Sequence, residues 1–181
     1  CYAGDPSAQS VVRNAAPSVD VHFTECSGGG WEPRFGPNLA FHVGTLVIGT
    51  TRHRARTVLL WNLALDERSG PFLGGCTNCR GVVTVDSRTG QYQRNVEYFA
   101  LAHASRFVRR GAVRVESSSG VLGLVSVAFR NPDDGSKVLI VCNTAEVARA
   151  FAVRRSGVPE DAGRAFRYAL PPQSAVTFVW R

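Results

Sequence analysis

The stretch Val19-Asp-Val-His-Phe-Thr-Glu-Cys-Ser-Gly-Gly29 decides how the first half of this chain is interpreted. Apolar and polar residues alternate up to Phe23, which is the pattern of a β-strand with one buried face. The run ends at a single carboxylate, Glu25, followed by glycines. Glu25 therefore lies where a strand passes into a loop, the position at which (β/α)₈ barrel enzymes keep their reactive groups. The same pattern is also typical of a solvated strand edge, so other segments have to decide between the two interpretations.

Up to residue 110 the sequence alternates helical and strand patterns. Asp5 and Pro6 predict the start of a helix that continues to Ala16, just before the strand. A second helix is predicted over residues 38–51 because its apolar residues share one face. These residues are Leu39, Val43, Leu46 and Val47.

The rest of this first part predicts one further strand, a long loop, a hairpin and a final helix. The strand is predicted over residues 57–63, the loop over 65–81 and the hairpin turn at 87–90. The final helix is predicted over residues 96–107, with Tyr98, Leu101, Ala102 and Ser105 in amphipathic spacing.

From residue 111 onward the sequence carries strand signals only. Short apolar runs are separated by turns that contain glycine, proline or aspartate, which predicts a β-sandwich. We therefore expect two domains, residues 1–110 and residues 111–181. The predicted strands cover residues 113–115, 124–129, 137–142, 150–153, 166–170 and 175–180.

Three further segments accompany Thr-Glu-Cys at residues 24–26. They are Tyr-Ala-Gly-Asp-Pro-Ser at 2–7, Trp-Asn-Leu-Ala-Leu at 61–65, and Gly-Cys-Thr-Asn-Cys-Arg-Gly at 75–81. In this order and spacing they resemble glycoside hydrolase family 30, the glucosylceramidase family, over nearly the whole chain. The resemblance implies an α/β plus all-β fold, in which the last strands and helices of a (β/α)₈ TIM barrel precede a β-sandwich domain.

The resemblance also implies a retaining β-glycosidase whose nucleophile is Glu25, at the end of the seventh barrel strand. Such an enzyme needs a second carboxyl group as general acid. The family carries it in an Asn-Glu-Pro motif, which does not occur in this chain. We therefore expect a carboxy-terminal fragment that is inactive alone. Glu32 and Asp66 are predicted to be loop and turn residues rather than replacements for the acid.

Sugar-binding sites present aromatic faces to the C–H face of a pyranose and polar groups to its hydroxyls. The resemblance matches Trp61 to a motif tryptophan and Tyr2 to a tyrosine near the sugar pocket. Trp31 is predicted to line the aglycone side, and Asn78 and Arg80 to reach sugar hydroxyls. The alternatives are an interior barrel position for Trp61 and an exposed loop position for Trp31. The substrate stays open between glucosylceramide, a β-1,6-glucan and a β-xyloside.

Of the five cysteines, Cys76 and Cys79 form the close pair, inside a glycine-flanked loop. No second pair or histidine lies at metal-ligand spacing, so neither a metal nor another cofactor is expected. We predict a local disulfide formed in an oxidising compartment, with a reduced pair as the alternative. Cys26 is predicted to be a small buried space-filler. His42 and His103 lie in predicted helices and are expected to be packing residues.

Composition limits the class of protein. The 181 residues are 44% hydrophobic, which is enough to build a core, and no run of about 18 apolar residues predicts a membrane span. The net charge of +7 comes from scattered arginines, densest at Arg52, Arg54 and Arg56. Scattered arginine is typical of a solvated surface, so nucleic-acid binding is not expected.

The expected partner is a carbohydrate or glycolipid substrate, and the expected location is extracellular, although no signal peptide is present in the sequence. Two alternatives belong to other classes. One is a non-catalytic carbohydrate-binding module, and the other is a subunit completed by a chain that carries the amino-terminal part of the barrel.

Overall fold

The computed structural model describes residues 4–119, 121–154 and 165–181. Its elements are short strands in several small sheets, together with a few helices. The architecture is mixed, with helices concentrated in the first 105 residues and, among the described residues after that point, strands alone.

The first part is built around a strand–helix–strand unit. Helix α1, Ala8–Ala15, leads into strand β1, Val21–Phe23. A continuous helical run follows, consisting of α2, Phe35–Ala40, a π-helical segment, Phe41–Gly49, and α3, Thr50–Arg52. Strand β3, Ala55–Val58, then pairs with β1 in parallel. A parallel pair requires such a crossover, and here the helical run supplies it.

Two small sheets complete this part. Strand β2, Gly28–Gly29, pairs with β5, Cys79–Arg80. Strand β4, Ala64–Asp66, pairs with β6, Val83–Val85, and β6 turns back into β7, Tyr92–Arg94. Helix α4, Val96–Ser105, follows directly.

The second part is a four-stranded antiparallel sheet covered by a hairpin. The sheet has the order β13, β10, β9, β8. Its strands are β8, Val113–Val115, β9, Leu124–Arg130, β10, Lys137–Asn143, and β13, Ser174–Trp180. The hairpin consists of β11, Arg149–Val153, and β12, Phe166–Leu170. The predicted strands of this part all appear within one or two residues of their expected bounds.

Each face of the four-stranded sheet has its own apolar core. On one face, Val127 and Ile140 pack against Val43 and Val47 of the π-helical segment and against Ala100 of α4. On the other face, Leu139 and Val141 pack against the hairpin. One buried cluster therefore joins residues from both sides of the expected domain boundary.

Two sequence predictions in the first part are wrong. The predicted strand 57–63 ends at Val58, because the backbone of Trp61 turns to bond Cys26 instead of continuing the ladder. The predicted loop 65–81 contains β4 and β5.

The buried side of α4 also differs from the prediction. It consists of Val96, Glu97 and Ala100, whereas Ser105, predicted on the packed face, is exposed. The prediction considered apolar positions only, and it therefore did not include the charged residue Glu97 on the buried side of the helix.

Arg52 is another correction, because it is not a solvated surface arginine. Its Nη1 donates hydrogen bonds to the backbone oxygens of Ser126, at 2.7 Å, and Ser117, at 3.1 Å. Arg52 lies at the end of the helical run and Ser126 in β9, so this side chain fastens the two parts together. Arg56, in contrast, forms an exposed pair with Asp20.

We predict that Arg52→Met lowers the free energy of unfolding by roughly 1–3 kcal/mol, because it leaves two carbonyl groups without their donor. Arg56→Met is the matched control and should change it by about 1 kcal/mol or less, since its ion pair is solvent-exposed. Urea denaturation followed by circular dichroism measures both. Equal losses in the two variants would contradict the assigned role of Arg52.

A second prediction concerns the reactivity of the Cys142 thiol. It is a free cysteine buried in the helix-facing core, and burial raises the pKa of its thiol to about 12. Since the thiolate is the nucleophile, native protein at pH 8 should not be alkylated at Cys142, whereas urea-unfolded protein should be. Iodoacetamide labelling read by peptide mass spectrometry checks this. Rapid labelling of the native chain at this position would show that the core opens easily.

Candidate active site

Two neighbouring parallel strands bring Glu25 and Trp61 to the same edge of the fold. Glu25 lies two residues after the end of β1, and Trp61 lies three residues after the end of β3. Two backbone hydrogen bonds link the segments that follow the paired strands. The N–H of Leu59 donates to the oxygen of Phe23 at 3.0 Å, and the N–H of Trp61 donates to the oxygen of Cys26 at 2.7 Å. The carboxyl ends of parallel strands meet at one edge of a sheet, which is why residues far apart in sequence become neighbours here.

A cavity of about 660 Å³ opens at this edge. Its lining combines a carboxylate, a hydroxyl group, three aromatic rings and a disulfide, contributed by Glu25, Ser27, Trp31, Phe41, Trp61, Cys76 and Cys79. Glu25 is exposed, and Trp31 and Trp61 keep 55% and 51% of their surface accessible. Large indole faces left open beside a carboxylate can stack on a ligand.

The loop that follows Glu25 is pinned to the cysteine loop. Gly28 and Gly29 pair with Arg80 and Cys79, and the N–H of Gly30 donates to the oxygen of Asn78 at 2.8 Å. Both paired glycines are required by space. A Cβ on Gly28 would collide with the carboxylate of Glu97, and one on Gly29 would collide with the ring of Trp31.

Cys76 and Cys79 form a disulfide, with their Cα atoms 5.5 Å apart. Its sulfur atoms lie at the cavity wall, and Ser27 Oγ is 3.5 Å from the sulfur of Cys79. Cys26 is completely buried and is itself disulfide-bonded. Its prediction as a simple space-filler was therefore wrong, since its sulfur makes a covalent cross-link.

A buried ion pair lies behind the glycine loop. Arg80 donates from Nε and Nη2 to the carboxylate of Glu97, at 3.1 Å and 2.8 Å. The Glu97 side chain is 1% exposed and that of Arg80 is 23% exposed. Asn38 Nδ2 adds a third, longer contact to the same carboxylate at 3.3 Å.

Sequence reasoning missed Glu97 entirely. A glutamate in the first turn of a helix normally serves the helix dipole and faces solvent. The sequence offered one hint, which is the presence of Arg80 in a glycine-rich loop. That hint does not identify the acidic residue with which the arginine pairs. Arg80 itself was predicted to reach sugar hydroxyls, and its guanidinium is paired with Glu97.

The structure places the remaining predicted sugar-contact residues in different environments. The Asn78 residue is exposed and its backbone oxygen holds Gly30, so its side chain stays a predicted sugar contact. Tyr2 lies outside the described residues. Trp31 and Trp61 are brought together with Glu25 around the same cavity.

The two carboxylates considered as replacements for the acid do not line the cavity with Glu25. Glu32 is paired with Arg34, whose hydrogen bonds lower the pKa of the Glu32 carboxyl. Asp66 accepts hydrogen bonds from the backbone N–H groups of Arg68 and Gly70 and closes a turn. Glu32 is a loop residue, as predicted, whereas Asp66 is the last residue of β4 and holds the turn that follows it. Among the residues that the structure describes, Glu25 supplies the cavity's carboxylate.

His42 and His103 are packing residues. Burial lowers the pKa of both, so each is neutral at pH 7. His42 Nδ1 lies 2.9 Å from the oxygen of Asn38, and His103 Nδ1 lies 2.9 Å from Thr177 Oγ1 in β13. Within the described ranges, histidine, cysteine and acidic side chains form no cluster of three able to hold a metal ion. No described helix is both long and apolar enough to cross a membrane.

Several known proteins are similar to this chain. Residues 111–178 match the family model described as the glycosyl hydrolase family 30 beta sandwich domain. An endo-1,6-beta-D-glucanase of Neurospora crassa is 36% identical over 154 residues, 79% of this chain and 31% of that protein. A glucosylceramidase-like protein of Caenorhabditis elegans is 30% identical over 121 residues, 64% of this chain and 22% of that protein.

A solved structure, the endo-beta1,6-glucanase BT3312, matches with a TM-score of 0.81 at 29% identity, over 99% of this chain and 39% of that one. The chain spans about a third of the length of the Neurospora relative and of two further curated endo-1,6-beta-D-glucanases that it matches. Its sandwich sequence, its relatives and its structural neighbours agree, and the chain belongs to glycoside hydrolase family 30.

Proposed function

We propose that this chain carries the nucleophilic half of a retaining β-glycosidase, with Glu25 as the nucleophile. The observation that supports it is the position of Glu25, at the carboxyl end of β1 in a cavity with two half-exposed tryptophans. In the reaction, an oxygen of Glu25 attacks the anomeric carbon as the glycosidic bond breaks, which forms a glycosyl ester that water later hydrolyses.

The strand–helix–strand unit from β1 to β3 corresponds, in this proposal, to the last two strands of a (β/α)₈ barrel, with the sandwich domain beginning at residue 111. The two strand edges of this pair would then be completed by barrel strands from outside this chain. The general acid has the same origin. In a retaining enzyme the acid lies about 5–5.5 Å from the nucleophile, and no second carboxylate among the described residues lines the cavity.

For the substrate we propose a β-1,6-linked glucan. The relative named for this activity is 36% identical over 79% of the chain, against 30% over 64% for the glucosylceramidase-like relative. The solved neighbour with TM-score 0.81 carries the same activity in its name. In this proposal Trp61 stacks on the sugar that is attacked, and Trp31 on the leaving side of the chain.

We further propose that the protein works outside the cell. The support is the Cys76–Cys79 disulfide together with the disulfide-bonded Cys26. Disulfides persist in oxidising compartments and are rare in reducing ones.

Labelling with a mechanism-based inhibitor tests the role of Glu25. The protein is a chimera in which the amino-terminal two thirds of the Neurospora relative precede this chain. A 2-deoxy-2-fluoro glucoside with a good leaving group should become trapped on Glu25. Fluorine slows both formation and hydrolysis of the ester, and the good leaving group keeps formation faster than hydrolysis. Mass spectrometry should find the label on the peptide that spans residues 23–27. A label on Glu32 or Asp66 instead would refute the assignment.

Two controls accompany this experiment. Glu25→Ala in the chimera should lose activity that azide restores, because the small anion can attack from the vacated space. The chain alone should leave nitrophenyl β-glucoside intact, since general acid assistance contributes typically 10²–10⁴-fold. Turnover by the chain alone that disappears in Glu25→Gln would contradict the proposed division of the site.

Binding of a β-1,6-linked glucose trisaccharide tests the cavity separately from catalysis. Trp31→Ala and Trp61→Ala in this chain should each raise the dissociation constant about tenfold, because each removes a stacking face. Trp180→Phe, in the sandwich, is the matched control and should have no effect. Isothermal titration calorimetry gives the constants. Binding that neither tryptophan influences would place the sugar elsewhere, and binding without turnover in the chimera would favour a non-catalytic carbohydrate-binding module.

A further inference from the structure

The ion pair between Arg80 and Glu97 is buried, and burial alone makes such a pair a weak source of stability. Moving two charges out of water is costly, and apolar side chains of similar volume often stabilise a protein equally well or better. Here the carboxylate is 1% exposed and lies next to the apolar residues Val96 and Ala100 of the core. A charged pair in such a place has to be explained by what it positions.

The pair touches the loop that follows Glu25. Gly28 lies directly on the Glu97 carboxylate, so closely that a Cβ there would collide with Oε1. The same glycine pairs through its backbone with Arg80, which places both charged side chains against one point of the loop.

The geometry of the pair is fixed from three sides. Arg80 presents two nitrogen donors in a rigid plane, which sets the orientation of the carboxylate as well as its distance. Asn38 adds a contact from the helical run. Glu97 itself is in the first turn of α4, where the helix dipole favours a negative charge. An apolar pair would fill the space without any of these directional constraints.

The position of Gly28 influences the residues that line the cavity. Gly28 is three residues from Glu25, and Cys26 between them accepts the hydrogen bond from Trp61. On the other side, Gly29 packs against the ring of Trp31. A shift of Gly28 therefore moves the carboxylate and the aromatic wall relative to each other.

We propose that Arg80 and Glu97 are positioning residues that set the glycine loop, residues 27–30, and through it the relative placement of Glu25 and Trp31. The pair touches no substrate and takes no part in the bond changes. Its meaning for catalysis rests on the proposed function of Glu25, whereas its effect on the loop can be measured independently.

The experiment compares the full chain with the double variant Arg80→Met plus Glu97→Leu, which removes both charges and keeps the volume. Hydrogen exchange followed by mass spectrometry reports on the Gly30 amide, which is bonded to Asn78. We expect a melting temperature close to that of the original chain, exchange at Gly30 about tenfold faster, and a dissociation constant for the β-1,6-linked trisaccharide about tenfold higher. A pair that only packs the core would leave exchange and affinity unchanged at equal stability, and that result would overturn the proposal.

Arg80→Lys covers the case in which the double variant does not fold. It keeps the charge and loses the planar two-donor contact, so it should still accelerate exchange at Gly30, and original exchange in this variant would equally overturn the proposal. Asp133→Asn, which breaks the exposed pair with Arg109 far from the loop, is the matched control and should change neither readout. If the original chain does not bind the trisaccharide, the proposed substrate site is wrong, while the exchange comparison still decides whether the pair positions the loop.

Discussion

The contact between the helical run 35–52 and one face of the four-stranded sheet ties the molecule together. Val43, Val47 and Ile48 are almost fully buried there against strands β9 and β10. Without this contact the apolar residues of the helical run would be exposed to solvent. The parallel strands β1 and β3, which the run connects, would then no longer be held in place. The four-stranded sheet thus supports the part of the chain that carries the cavity.

Glu25 and Trp61 owe their proximity to this arrangement. The helical run connects β1 to β3, so its anchoring on the sheet determines where both strands end. Arg52 adds a polar fastening at the end of the same run, by bonding the backbone of β9. The cavity lies at the carboxyl ends of these strands. There the hydrogen bonds from Leu59 to Phe23 and from Trp61 to Cys26 hold the two following loops next to each other.

The arginines illustrate why net charge says little about partners. Arg52 holds two backbone carbonyls, Arg80 holds a buried carboxylate, and Arg109 pairs with Asp133 at the surface. Each has a partner inside the same chain, so part of the basic composition serves the fold. A charge of +7 read from the sequence could not separate these uses, since each depends on which acceptor the fold brings near.

The sequence by itself determined the family, the strand just before Glu25, the helix after it and nearly all strands of the sandwich, because these rest on local periodicity and on motif order. It also singled out the pairing of Cys76 with Cys79, whose spacing allows a local bridge. Only the tertiary structure decided that β3 stops at Val58, that α4 buries Glu97, and that Arg80 pairs with this buried carboxylate. The physical reason is the same in each case. The buried charge of Glu97 has its partner 17 residues away, and the backbone of Trp61 bonds a residue far earlier in the chain, so no local pattern encodes where either partner will lie.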